Sequence, residues 1–213
     1  LLKENGLTKL KIIKTKFIYL ISPNKLDKDF YKNLKLVLKT NKVSYFQMRL
    51  KKYSLKNKIS VGKKISKICR TNKVKFIVND DPRLAKRLNA DGCHLGQNDM
   101  SINKARELIG NKIIGITCHN SIRLAKLAIK SKASYLAFGA FYSSKTKKVK
   151  FHATTKILKK VKKLTNIPVV AIGGIDSSNY KNLLLNKANF LAISSYIWNN
   201  KKYKPEKSIE ILK

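Results

Sequence analysis

KFIVNDDPRLAKRLNADGCHLGQND, residues 75–99, reads as strand, helix, strand. Phe76–Val78 is a short apolar run that ends in the polar triplet Asn79-Asp80-Asp81. Asp81-Pro82 then supplies a helix N-cap and a first helical residue, because proline has no N–H to lose there and its φ is already helical. Leu84 and Leu88 follow at one-turn spacing on one face. Cys93–Leu95 is the next apolar run, and Gly96-Gln97-Asn98-Asp99 closes it.

The same unit recurs along the chain. Further apolar runs are Phe17–Ile21, Tyr45–Met48, Ile113–Ile116, Tyr135–Phe138, Pro168–Ile172 and Phe190–Ile193, which makes eight. Several are almost continuously apolar, as expected of strands buried on both faces. Helical patterns separate them: Leu26–Lys39, a stretch capped by Ser54 and running to Arg70, Asp81–Leu88, a stretch capped by Ser101, one capped by Asn120 or Ser121, Thr155–Leu164, Asp176–Leu185 and Pro205–Leu212. Strands alternating with helices, without a break in composition, predict a parallel α/β fold. Eight strands suit a closed (β/α)₈ TIM barrel. A doubly wound open sheet usually has about five to seven strands, and its dinucleotide-binding form needs GxGxxG after the first strand, where Ser22-Pro23-Asn24 holds no glycine. The expectation is one (β/α)₈ barrel domain over residues 1–213, near the lower size limit of about 200 residues for the fold.

Charge is the other conspicuous feature. The chain carries 48 Lys+Arg against 11 Asp+Glu, a net charge of +37. Such a balance suggests nucleic acid or an anionic surface. Against that, 42 of the 48 cations are Lys and only 6 are Arg, the residue whose fork reads phosphate and base edges. The Lys residues are also spread over the whole length, so they read as a solvated coat. At 43% hydrophobic, the chain is no disordered basic tail. Cys69, Cys93 and Cys118 form no CxxC pair and read as buried thiols in a reducing compartment. No apolar run is long enough for a signal sequence or membrane span. A cytoplasmic enzyme without membrane contact is the expectation.

In a TIM barrel, chemistry sits at the C-terminal strand ends. Gln47, Arg49 and Lys51 alternate with Met48 and Leu50 at the end of the second run, so all three point to one face. Carboxamide, guanidinium and ammonium together suit a polyanion such as pyrophosphate; the alternative is an exposed strand end. Asp80 and Asp99 follow neighbouring runs. Two carboxylates beside a polyanion site call for a cation, and Mg²⁺ takes one or two carboxylates plus phosphate oxygens. The alternative is that Asp81 caps its helix and Asp99 begins the next one; that reading is adopted for Asp81, and Asp91 belongs to a turn at the opposite end. Zinc ligand spacing is absent. His94 reads as a packed core histidine and His152 as a surface residue; His119 lies nearest the mouth. Ser143-Ser144-Lys145-Thr146-Lys147 suits an anion-binding loop. Gly173-Gly174 and Ser194-Ser195 end the last two runs, where barrels commonly bind phosphate. The residues thus predict two anion pockets, one of them metal-assisted.

Six motifs in order, YLIS (19–22), QMRLK (47–51), ND (79–80), DGCHLGQND (91–99), SKTK (144–147) and AIGGI (171–175), resemble those of the thiamine-phosphate synthase family. The resemblance spans Tyr19 to about Trp198. It implies a Mg²⁺-dependent transferase that joins a pyrimidine diphosphate to a thiazole phosphate and releases pyrophosphate. It assigns Gln47, Arg49, Lys51 and Asn79 to the pyrimidine diphosphate, Asp80 and Asp99 to Mg²⁺, and Thr117 to the pyrimidine. Lys147 falls to the pyrophosphate, and Ser144, Thr146, Gly174, Ser194 and Ser195 to the thiazole phosphate. Thr117 and Ser144 exchange one hydroxyl residue for another relative to the family, and Ala140 stands in place of a proline. Arg49, Lys51 and Lys147 would stabilise the departing charge. A thiazole tautomerase using His119 is the alternative on the same barrel, and a basic nucleic-acid binder is a third reading. The expected partners are two small anionic substrates, with a homo-oligomer allowed.

Overall fold

The computed structural model describes residues 16–143 and 151–212. Each apolar run becomes a strand, because an extended apolar segment can hide both faces only between two other layers. In chain order the elements are β1 (Ile18–Ile21), α1 (Phe30–Lys39), β2 (Val43–Met48), α2 (Leu55–Thr71), β3 (Lys75–Asn79), α3 (Pro82–Arg87), β4 (Gly92–Leu95) and α4 (Ile102–Ile109). They continue with β5 (Ile113–His119), α5 (Ile122–Lys130), β6 (Tyr135–Gly139), α6 (Thr155–Lys162), β7 (Val169–Ile172), α7 (Tyr180–Leu185), β8 (Phe190–Ile193), α8 (Ser195–Trp198) and α9 (Pro205–Glu210). Every strand pairs in parallel with the next, and β8 returns to β1. The fold is the expected (β/α)₈ barrel.

Strand alternation divides the core in two. Phe46, Phe76, Val78, Cys93, Leu95, Ile114 and Leu136 face the helix layer. Tyr19, Ile77, Tyr135, Val170 and Phe190 point inward and fill the barrel. The three cysteines are buried and unpaired. Burial pushes the Cys93 and Cys118 thiols up to about 12, so they pack as inert hydrophobes.

Several boundaries differ from the sequence reading for local reasons. Helix α1 starts at Phe30, four residues late, because a turn precedes it in which the Phe30 N–H donates to the Asp27 carbonyl at 3.3 Å. Helix α7 starts at Tyr180 because Asp176 forms a turn, its carboxylate accepting from the Ser178 N–H at 2.8 Å. The short helix α8 was not anticipated; it gives nine helices among the described residues. Among those residues, no helix is long and apolar enough to cross a membrane.

Asp81 caps α3 as its Asp-Pro pair predicts, accepting from the Leu84 N–H at 2.9 Å. Asp91 sits at the far end of the barrel, where its carboxylate accepts from the Phe76 N–H and the Lys75 ammonium, both at 2.9 Å. Asp81 and Asp91 thus hold backbone at a helix start and at the far end of the barrel, while Asp80 and Asp99 lie at the mouth.

Candidate active site

At the end of β2, Met48 and Leu50 turn into the helix layer and leave Gln47, Arg49 and Lys51 on the mouth side. Gln47 is almost fully buried, and its Nε2 donates to the Tyr19 hydroxyl at 3.0 Å. Arg49 is fixed through its backbone, whose N–H donates to Ser22 Oγ at 2.9 Å, and its Nη1 donates to Asn24 Oδ1 at 3.2 Å. Lys51 lies in the following turn and pairs with Asp80 at 2.8 Å.

Strand β3 delivers Asn79 and then Asp80, whose φ of +64° bends the chain over the mouth. Its N–H donates to the His94 carbonyl at 2.8 Å, which holds that left-handed turn in place. After β4, Asp99 folds back to accept from the Gly96 N–H at 2.6 Å. The Asp80 and Asp99 carboxyl groups lie side by side and act on one another's ionisation. Burial alone would raise Asp80, but the hydrogen bond from Lys51, the contact with Asp99 and the nearby Arg49 charge hold it below the usual carboxylate range. Asp99 moves the other way, raised by burial and by Asp80 despite the Gly96 N–H. Two such carboxylates want a cation. No group of three or more His, Cys, Asp or Glu gathers among the described residues. A two-carboxylate oxygen set fits Mg²⁺, which completes its shell with water and substrate phosphate. Beside the pair, a cavity of about 210 Å³ is bordered by Lys51, Lys58, Asn79 and Asp80 over Val78 and Leu84.

The floor of the mouth is a chain of polar side chains across the barrel. From Gln47 it passes to Tyr19, then to the Tyr135 hydroxyl at 2.7 Å from that of Tyr19. His94 Nδ1 lies 2.9 Å from Tyr135 Oη, and His94 Nε2 lies 2.9 Å from Thr117 Oγ1. Burial holds the His94 imidazole down at about 4; Asp80 pulls it up and Arg49 pushes it down, so the ring is neutral near pH 7. His94 is thus a core histidine as read, but one bonded at both nitrogens. Sequence reading missed Tyr19 and Tyr135 as site residues. The available signal was a tyrosine in the middle of a buried run, whose hydroxyl must find a partner.

A second cluster occupies the ends of β7 and β8. Gly173 and Gly174 have φ of +105° and +60°. A Cβ on Gly174 would lie 2.3 Å from the Ser143 carbonyl oxygen, so only glycine lets the β6 loop lie against it. Ser194 precedes α8, and its Oγ donates to the Ser22 carbonyl at 3.2 Å. Ser195 opens that helix. Ser22 therefore ties the two clusters together, since its own Oγ receives the Arg49 N–H. Ser144, Thr146 and Lys147 lie outside the described residues. His119 stacks on Phe151, ring centres 4.1 Å apart.

A family model described as thiamine monophosphate synthase matches residues 18–197. A thiamine-phosphate synthase of Pelagibacter ubique is 63% identical over 213 residues, the whole of both chains. One from Erythrobacter litoralis is 40% identical over 186 residues, covering 85% of this chain and 87% of its own. The solved thiamine phosphate pyrophosphorylase of Pyrococcus furiosus superposes with a TM-score of 0.82 at 28% identity, over 94% of each chain. More distant barrels, such as the orotidine 5'-phosphate decarboxylase of Pyrococcus horikoshii at 13% identity and a TM-score of 0.65 (91% of this chain, 96% of that one), share the fold. The chain belongs to the thiamine monophosphate synthase family and is a transferase of that family.

Proposed function

We propose that the protein joins an aminopyrimidine-methyl diphosphate to a thiazole phosphate, giving thiamine phosphate and pyrophosphate, with Mg²⁺ held by Asp80 and Asp99. The observation that carries the reading is the Asp80–Asp99 carboxylate pair set beside Lys51 and Arg49. Opposed charges crowded at a barrel mouth suit a metal-bound polyanion better than any single neutral substrate.

Arg49, Lys51 and Lys147 supply the positive charge for the diphosphate, and Asn79 helps to hold it. Gln47 and Thr117 meet the pyrimidine. Ser144, Thr146, Gly174, Ser194 and Ser195 hold the thiazole phosphate. The C–O bond to pyrophosphate breaks, and the leaving group departs with the bonding pair. An amino-substituted ring spreads the positive charge left on the methylene carbon, and the thiazole nitrogen closes the new C–N bond with its lone pair. When bound, Mg²⁺ would neutralise part of the charge on the departing pyrophosphate. The cationic side chains do the rest in a preorganised site, and holding both substrates in line removes much of the entropic barrier.

Purified protein supplied with both substrates and Mg²⁺ should release thiamine phosphate and pyrophosphate in equal amounts. Chelation should lower the rate by at least about 100-fold. Failure to form product, alongside an active synthase control, would refute the assignment. Asp81→Ala serves as the internal control. Loss of its cap should cost about 1 kcal/mol in urea unfolding. Its kcat/KM should stay within about threefold of the parent, because among the described residues that carboxylate is engaged by the Leu84 N–H at the start of its helix, although Asp81 also borders the cavity beside Asp80.

A further inference from the structure

The polar chain under the mouth has a direction, and hydrogen counting assigns it. Gln47 Nε2 donates to Tyr19 Oη. The Tyr19 hydrogen must then go to Tyr135 Oη, 2.7 Å away, and the Tyr135 hydrogen to His94 Nδ1. A neutral imidazole that accepts at Nδ1 carries its proton at Nε2, which donates to Thr117 Oγ1. A doubly protonated ring would make Tyr19 accept twice and leave its own hydrogen without an acceptor among these groups. In the direction assigned, the two ends of the chain are fixed. Among these five groups, Gln47 keeps its carbonyl Oε1 as the acceptor left over, and Thr117 keeps its hydroxyl hydrogen and one lone pair.

We infer that Tyr19, Tyr135 and His94 are positioning residues that lock this polarity, so that the mouth reads an amino group beside an unprotonated ring nitrogen. The amino group meets Gln47 Oε1, and the ring nitrogen accepts from Thr117. The inference rests on the aminopyrimidine substrate proposed above and adds how that edge is selected. The oxo counterpart of the pyrimidine presents the reverse, a carbonyl beside a ring N–H. To accept it, the Gln47 amide would have to flip and give up its donation to Tyr19, and Thr117 would have to take the ring N–H on its remaining lone pair and forgo its own donation. A site built from fixed donors and acceptors rejects such a reversed edge far better than an apolar pocket does.

Two measurements test this. Nitrogen-15 spectra of the histidine-labelled wild-type protein should show His94 as the tautomer protonated at Nε2 only. The Nδ1–H tautomer, or a doubly protonated ring at neutral pH, would overturn the assignment without any variant. The second compares kcat/KM for the aminopyrimidine diphosphate and for its oxo counterpart. Tyr135→Phe keeps the ring and removes the hydroxyl that joins the two halves of the chain. It should lower the amino-over-oxo ratio at least tenfold, and Tyr19→Phe should do likewise by freeing the Gln47 amide. A purely structural role would instead lower both substrates in proportion and leave the ratio unchanged, which would refute the inference. A wild-type enzyme that makes no thiamine phosphate would refute the functional reading and the amino-group specificity with it. An active wild type with an unchanged ratio in Tyr135→Phe defeats the inference alone.

Discussion

Asp80→Asn should reduce kcat/KM by about 100-fold or more, the scale on which a lost charge partner of a transition state is felt, while the protein stays folded. The backbone supports the second half of that statement. Asp80 sits at φ +64°, a region that asparagine tolerates as readily as aspartate. The Lys51–Asp80 pair is also wet, with the two side chains 56% and 29% exposed, so its removal should change stability by less than about 1 kcal/mol. Activity and stability are therefore expected to separate. Asp99→Asn should behave in the same way, since an amide oxygen can still accept from the Gly96 N–H. If both carboxylates serve one cation, the double variant should be barely worse than either single one. Steady-state kinetics across a Mg²⁺ titration, with urea unfolding in parallel, decide the matter. Full activity in both single variants would remove the metal site. Lost stability with retained turnover would reduce the pair to a surface ion bridge.

The contrast with Asp81 and Asp91 shows how much of this was legible in advance. Asp81 was readable because Pro82 follows it, and Asp91 because it precedes a strand at the wrong end. Asp80 and Asp99 stood out because each follows an apolar run at the mouth end; Asp99 could also have opened the next helix, a role that Ser101 takes. Their side-by-side approach follows from strand order, since β3 and β4 are neighbours. The strands were legible because burial on both faces leaves a continuous apolar run. That same continuity concealed the barrel floor. Tyr19 and Tyr135 are apolar letters in a pattern, and only three dimensions show that strands β1 and β6 aim their hydroxyls at one point 2.7 Å apart. Helix α8 escaped because four residues are too few for a periodic signal.

Gly115 was invisible for a related reason, and its replacement should produce a large loss of stability for a single added methyl group. It pairs with Tyr135 across β5 and β6. A Cβ on Gly115 would lie 1.8 Å from Tyr135 Cζ and 2.3 Å from its hydroxyl oxygen. The ring has no easy retreat. Its hydroxyl is bonded to Tyr19 and His94, and the ring stands edge-on to Tyr19 at 5.6 Å. Gly115→Ala therefore forces either a strained backbone or a displaced ring with a broken chain. Overpacking a rigid core costs roughly 1–3 kcal/mol, and a buried hydroxyl stripped of its partners adds about 1–3 kcal/mol. A total of about 3 kcal/mol or more is expected, which for a chain of this size lowers Tm by roughly 10 °C. Thermal and urea unfolding read this directly. The cause is separable from a general intolerance of the strand. In a Tyr135→Leu background the ring is gone, so the added methyl group should cost less than about 1 kcal/mol, a coupling at the upper end of what contacting residues show. Additive losses would mean that the methyl group clashes elsewhere, and an unchanged Tm in the single variant would mean that the floor of the barrel is softer than its hydrogen bonds imply.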